Sequence, residues 1–290
     1  MKSDLESCYL VAHSALTKEH KMKIVSFNIN SLRARLHQLS AIIETLQPDI
    51  IGLQETKVQD ADYPLADVEA LGYHSLYHGQ KTHYGVALLS RKPLTNTHKG
   101  FPGDTPDDQK RLVVGTYDDN GTPVTVINGY FPQGENRKHE TKFPAKRKFY
   151  ADLDAFLNDH CDASQQLAVM GDFNISPADI DIGIGEDNRK RWLREGKTSF
   201  LPEEREWFDR LLGWGLKDSW RLKHPDKNDT FSWFDYRSKG FEDTPKRGLR
   251  IDGILLTEPL AARLDSVGID YDIRSMDKPS DHCPIWASFN

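Results

Sequence analysis

Cysteine is scarce in this chain: Cys8, Cys161 and Cys283 are the only three, and none belongs to a Cys-x-x-Cys pair. An odd, widely spaced set offers neither a disulfide framework nor a thiolate zinc site, and fits a reducing, cytoplasmic setting. Long apolar runs are missing too, so no segment reads as a membrane span. The first residues lack the basic start, apolar block and small-residue cleavage site of a secretory signal. There is no excess of positive charge: 38 Lys and Arg stand against 44 Asp and Glu, a net charge of −6. A polyanionic partner must therefore meet a local patch rather than the charge of the whole body. No repeat, low-complexity tract or clear linker divides the 290 residues. The simplest organisation is one domain over residues 22–290, preceded by residues 1–21 as a disordered extension or appended remnant.

What is present argues for a folded core, since six Trp and thirteen Phe are too many for a disordered chain. Met22 to Asn28, Asp49 to Glu55, Leu167 to Met170 and Arg250 to Thr257 are apolar runs suited to buried strands. Tyr73 to Tyr77 and Gly85 to Ser90 read as neighbouring antiparallel strands. Leu112 to Tyr117 and Val124 to Tyr130 read as a hairpin closed through Asn120-Gly121. Ser266 to Tyr271 and Pro284 to Phe289 are further strands. Helical spacing marks Arg33 to Gln47, Pro64 to Leu71, Lys142 to His160, Asp187 to Arg194 and Pro202 to Gly213. Lys239 to Arg247 is polar and reads as a loop. Strands and helices alternate, but several strands follow one another directly. This predicts an α/β fold with one or two mixed sheets covered by helices.

The chemistry gathers at strand ends. After the apolar run Leu167 to Met170, Gly171 permits a turn, and Asp172 and Asn174 follow two apart, the spacing at which strand residues share a face. Asn28, Glu55 and Tyr130 close other strands, while Asp252 and Asp281-His282 stand at strand starts. If the last two strands run antiparallel to the rest, all these groups face one edge. Carboxylates and carboxamides there suit a hard cation such as Mg²⁺ or Mn²⁺, with Glu55 the best single ligand. Asp281 and His282 are neighbours and point apart, so the imidazole needs a carboxylate from elsewhere, and Asp252 is the candidate. Asp172 suits either activation of water or direct metal ligation; the two roles pull its pKa in opposite directions and the sequence leaves both open. Bland alternatives exist: Asn28 as a turn former, Tyr130 as a satisfied aromatic, Asp252 paired with Arg250 or Arg247, His282 as a core histidine.

Six stretches in order carry a resemblance: Ser26-Phe27-Asn28-Ile29-Asn30, Gly52-Leu53-Gln54-Glu55-Thr56-Lys57, Asn128-Gly129-Tyr130-Phe131-Pro132, Gly171-Asp172-Phe173-Asn174-Ile175, Arg250-Ile251-Asp252 and Ser280-Asp281-His282. Each is weak alone. Together they make residues 22–290 similar to the exonuclease III family of abasic-site endonucleases, and Tyr77 to Lys81 and Ser232 to Ser238 resemble its bacterial branch. The resemblance implies two stacked mixed sheets flanked by helices, the endonuclease/exonuclease/phosphatase fold. It implies action on double-stranded DNA, with Mg²⁺-dependent cleavage 5′ to abasic sites, 3′-to-5′ degradation, removal of blocked 3′ ends and RNase H activity; a monomer is expected, although the sequence does not give the oligomeric state. It puts Asn28, Glu55, Asp172, Asn174 and Asp281 at the metal and makes Tyr130 a phosphate contact. Asp172 would activate water, Asn174 position it, and Asp252 orient His282 against the phosphate. Trp233, Phe234 and Leu249 become the walls of an abasic-sugar pocket. One metal or two is left open. Two departures stand out: Ser31 where Gly is frequent, and Gly253 where a bulkier residue is usual, a change expected to loosen its strand.

For DNA contact the densest basic stretch is Arg189 to Arg194, in which Arg191 and Trp192 combine charge with an aromatic suited to insertion. Lys142, Lys146, Arg147 and Lys148 read as surface charge, and Arg247 and Arg250 as flanks of the pocket loop. Rival readings are a phosphoesterase of the same architecture acting on inositol phosphates or sphingomyelin, and a non-catalytic DNA-binding module.

Overall fold

The computed structural model describes residues 21–290; the reading of the N-terminal extension falls, Lys21 apart, outside the described residues. The strands are β1 (Met22–Asn28), β2 (Ile50–Gln54), β3 (His74–His78), β4 (Val86–Ser90), β5 (Thr95–Lys99), β6 (Leu112–Asp119), β7 (Thr122–Tyr130), β8 (Leu167–Asp172), β9 (Leu216–Asp218), β10 (Asp252–Thr257), β11 (Leu264–Ile269) and β12 (Ile285–Phe289). They form two six-stranded sheets, ordered β11-β12-β1-β2-β4-β3 and β5-β6-β7-β8-β10-β9. Each sheet has one parallel pair at its centre, β1 with β2 and β7 with β8. The other pairings are antiparallel.

Period-two alternation explains the layering. On β1, Met22 and Ile24 enter the core shared by both sheets, while Val25 and Phe27 face outward onto α1 (Leu36–Leu46) through Leu39 and Ile42. On β8, Ala168 and Met170 join the shared core, and Leu167 and Val169 face the helical layer. After α2 (Leu65–Ala70), that layer is built by α3 (Lys142–His160) and, beyond α4 (Glu186–Glu195), by α5 (Pro202–Trp214). Phe143, Phe149, Tyr150, Leu153, Phe156 and Leu157 bury one face of α3 at helical spacing. Short helices α6 (Ser219–Lys223), α7 (Glu258–Ala261) and α8 (Tyr271–Arg274) complete the chain.

Several expectations are corrected. Tyr271 starts a helix instead of ending a strand, because Asp270 caps it by accepting from the Ile273 amide at 2.9 Å. Lys146 is fully buried, while Lys142, Arg147 and Lys148 are exposed. Arg250 is buried too, because Asp181 and Asp218 neutralise it at 2.6 and 2.7 Å. Gly253 does not loosen β10: a Cβ there would lie 3.1 Å from the Phe173 ring, which fills the space. At Gly171 the constraint is absolute, since a Cβ would come within 1.9 Å of the Gly129 carbonyl.

Candidate active site

Following the inward-facing positions of each strand to its end leads to one place. Asn28 ends the inward row of β1, Tyr130 that of β7 and Asp172 that of β8, while Asp252 begins that of β10. Register sets Asp172 between Tyr130 on one side and Asp252 on the other. A buried polar layer lies beneath: Gln54 donates to Asn128 Oδ1 at 2.6 Å and to Ser26 Oγ at 3.1 Å. The antiparallel direction of β10 and β12 brings Asp252, Asp281 and His282 to the same edge.

The Asn28 amide nitrogen spans the two sheets, donating at 3.0 Å to both Glu55 Oε1 and Asp172 Oδ2. Its carbonyl oxygen is turned away onto the Asn30 amide at 3.1 Å, so Asn28 presents nitrogen to the site. Asp172 also accepts from the Asn174 amide at 2.9 Å and side chain at 3.1 Å. His282 Nδ1 lies 2.9 and 3.1 Å from the Asp252 oxygens, and Nε2 points at Asp172 Oδ2 at 3.7 Å. Asp252 pairs with neither Arg250, which is held as above, nor Arg247, which pairs with Asp243. Ser280 ties the Asp281-His282 turn to β1 through the Asn28 carbonyl at 2.6 Å.

Electrostatics separate the acids. Burial, opposed by His282, lifts the Asp172 carboxyl to about 7. Burial also pushes Glu55 upward, but Lys57 at 2.8 Å and hydrogen bonds from Asn28 and Tyr130 outweigh it, leaving Glu55 below its ordinary value. Asp281 likewise falls below its usual range: His282, Asn30 and Trp233 overcome burial. Burial disfavours the His282 cation, yet Asp252 and Asp172 push its pKa up to about 10. The Tyr130 phenol is held well above its usual value by burial and by Glu55, against the Arg111 guanidinium 4.6 Å over its ring.

Among the described residues the tightest group with metal-ligand chemistry is Asp172, Asp252 and His282. A protonated imidazole bound to its own carboxylate has no lone pair to give, so this group makes a poor cation site. The donor set that fits a hard divalent ion is the oxygen-only pair Glu55 and Asp281, both held below their ordinary pKa values and linked through Lys57 and Asn30.

Sequence reasoning passed over Asn30, Lys57 and Arg111. Asn30 donates to Asp281 Oδ1 at 2.9 Å and accepts from Lys57 Nζ at 2.7 Å, linking the two acids of the donor set. Asn30 and Lys57 lie two residues beyond Asn28 and Glu55 and end two of the six stretches that carry the resemblance, the signals that were available. Arg111 sits between the Tyr84 and Tyr130 rings.

Of the expected DNA-contact residues, Trp233 stands at the site, donating from its indole to Asp281 Oδ2 at 3.0 Å. Trp233, Arg191 and Trp192 line a cavity of about 100 Å³ with Ile184, Asn188 and Arg247. Phe234 and Leu249 are fully buried and do not form its surface: Leu249 packs behind the wall with Trp192 and Trp233, and Phe234 lies in a separate cluster with Phe231 and Cys283. Trp192 is half-buried and stacks on Phe200 at 5.7 Å rather than projecting for insertion. Arg189 is taken up by Glu186 at 2.7 and 2.9 Å, whereas Arg191 is exposed and, among the described residues, bonded only to Asn188.

Comparison with known proteins agrees with this architecture. The model of the Endonuclease/Exonuclease/phosphatase family matches residues 25–282. Exodeoxyribonuclease III of Haemophilus influenzae is 61% identical over 268 residues, which is 92% of this chain and all of that one. A 3′ phosphatase from Neisseria, solved with a product DNA hairpin, superposes with a TM-score of 0.84 at 38% identity, covering 93% of this chain and 99% of that one. An AP endonuclease from Archaeoglobus fulgidus gives a TM-score of 0.84 at 33% identity over the same shares.

Proposed function

The chain belongs to the endonuclease/exonuclease/phosphatase family, in its exonuclease III branch, and from that premise we propose that it is a magnesium-dependent DNA-repair nuclease. It cleaves the phosphodiester 5′ to abasic sites, degrades duplex DNA from 3′ ends and removes blocked 3′ ends, working as a monomer in the cytoplasm. One observation carries the reading: Asp172, buried and lifted to about 7, faces a protonated His282 across 3.7 Å, beside two acids held as anions. A base near neutrality, a cation for a phosphate oxygen and a hard-ion site are the three things phosphodiester hydrolysis asks of a protein.

Glu55 and Asp281 would hold Mg²⁺, with Mn²⁺ a substitute and Asn28 and Asn174 contributing amide groups at its edge. When bound, the ion polarises the scissile phosphate and steadies the leaving 3′ oxygen. Asp172 takes the proton from the attacking water. Its hydrogen bonds from Asn28 and Asn174 fix the carboxylate in place, and the burial that raises its pKa favours the base role over that of primary ligand. His282, oriented by Asp252, neutralises a phosphate oxygen, and Tyr130 and Asn174 contact the same group. Trp233 and the cavity beside it accept the base-less sugar, with Leu249 supporting the wall and Arg191 reaching phosphate at the rim. Arg189 contributes to that rim only if Glu186 releases it.

The test uses a duplex carrying one abasic site, with magnesium or with EDTA. The expected result is a magnesium-dependent nick 5′ to the site, and loss of about 10²–10⁴-fold in rate for Asp172→Asn with DNA binding retained. Phosphate release from soluble phosphoesters without incision of DNA, or undiminished turnover in Asp172→Asn, overturns the reading.

A further inference from the structure

Helix α3 carries a lysine that the roles above leave unused. Lys146 has no exposed surface, although burying an ammonium is costly unless it is paired. Burial holds its pKa below the ordinary lysine value, against Glu204 and Asp172. Its Nζ lies 2.5 Å from Glu204 Oε1 and donates to the carbonyls of Asn174 at 2.8 Å and Gln133 at 3.3 Å. An ammonium has three protons, and all three are used. The second Glu204 oxygen accepts the Ser199 and Leu201 amides at 2.8 Å each, which fixes the acid in turn. Four residues along the same helix face, Tyr150 donates to the Phe173 carbonyl at 2.7 Å.

The acceptors show what this arrangement controls. Phe173 and Asn174 directly follow Asp172, and Gln133 is three residues past Tyr130. Asn174 stands at φ 54°, a left-handed conformation that a non-glycine residue keeps only when its surroundings hold it. A lysine serving stability alone needs only its acid; this one also grips both loops that leave the central parallel pair of its sheet. We propose that Lys146, braced by Glu204 and assisted by Tyr150, is a positioning residue that clamps these loops and fixes Asp172 and Asn174 for attack. The clamp rests on the reading of those two residues as catalytic machinery.

The decisive variant is Lys146→Met combined with Glu204→Gln. Lys146→Met alone leaves a buried acid unpaired and lowers both Tm and kcat. Neutralising both partners restores most of the Tm, since the glutamine still accepts backbone amides, but it cannot restore a donor to the Asn174 carbonyl. The expected double variant has kcat on the order of 10²-fold below the parent, with KM for abasic duplex unchanged. Tyr150→Phe deletes one oxygen and should lose about 10-fold in kcat, again with KM unchanged. A double variant whose kcat returns together with its Tm, or a Tyr150→Phe enzyme of unaltered kcat, overturns the clamp. Asp172→Asn measured alongside separates the two levels. If it is inactive while the double variant is fully active, only the clamp fails; if it is active, the underlying reading fails.

Discussion

The two sheets share a topology and treat their acids in opposite ways. In one, β1–α1–β2 ends at Asn28 and Glu55; in the other, β7–α3–β8 ends at Tyr130 and Asp172. The first sheet delivers Glu55 and Asp281 at a half-open rim, where Lys57 on the one and His282, Asn30 and Trp233 on the other hold them below their ordinary values. The second delivers Asp172 into a closed space, where burial keeps it near neutrality and α3 grips the following backbone. Repetition of one strand–helix–strand frame thus supplies two kinds of carboxylate, one suited to holding a cation and one to moving a proton. Asn28 and the His282–Asp252 pair join the halves.

The largest test of this contrast is kinetic. Asp172→Asn and Glu55→Gln should both be severely impaired, but differently. Loss at Glu55 should raise the magnesium concentration needed for half-maximal rate by about 10-fold or more and be partly recovered at high metal. Loss at Asp172, put at about 10²–10⁴-fold, should persist at any metal concentration. Magnesium titrations of incision rate that move alike for both variants would erase the distinction between the halves.

A second test uses pH. With Asp172 as base, the rate should climb as pH rises through about 7 and fall close to tenfold per unit well below it. Stability in metal-free buffer should show opposite signs. Asp172, raised in the fold, costs nothing below its unfolded value of 3.8, and its cost grows until pH passes about 7. Glu55, lowered in the fold, contributes stability above its unfolded value of 4.5 and loses it as pH falls through its lower folded value. Relative to the parent, Tm should therefore swing toward Asp172→Asn as pH rises from 4 to 7. It should swing away from Glu55→Gln below and around 4.5 and then level. The Asp172 swing should be on the order of 2 °C or more and the Glu55 swing should have the opposite sign, and thermal melts across that range give both slopes. Slopes of one sign would mean that both acids sit in the same environment.

How much of this was legible follows from which signals are periodic. Asn28, Tyr130, Asp172 and Asp252 continue the inward rows of apolar strands, so alternation points to them before any fold is known. Pairing Asp252 with His282 follows from the same rule, because adjacent Asp281 and His282 diverge. Lys146 was not legible: one lysine in a basic run is buried or exposed according to helix phase against a partner acid 58 residues away. Nor was β5, whose five residues are all exposed on a sheet edge and carry no apolar alternation. Trp192 misled because an aromatic among arginines looks the same in sequence whether it stacks inward or projects.

The smallest effect concerns the first half alone, at the turn that carries its ligand side. Asn30, Ser31, Glu55 and Lys57 all have positive φ, and Ser31 is the most extreme at 90°. Its amide donates to the Glu55 carbonyl at 2.7 Å, so the turn cannot relax without disturbing that residue. Glycine adopts this conformation without the Cβ penalty, at the expense of a more flexible unfolded chain. The strain relieved is about 1–2 kcal/mol and the entropy given up about 0.4–1 kcal/mol, so Ser31→Gly should stabilise by roughly 0.5–1 kcal/mol, or about 1–4 °C in Tm. Magnesium dependence should stay unchanged, because the backbone bond to Glu55 remains. A lower Tm in Ser31→Gly would mean that the serine side chain holds the turn, and that the rim is fixed by side-chain contacts as the buried half is.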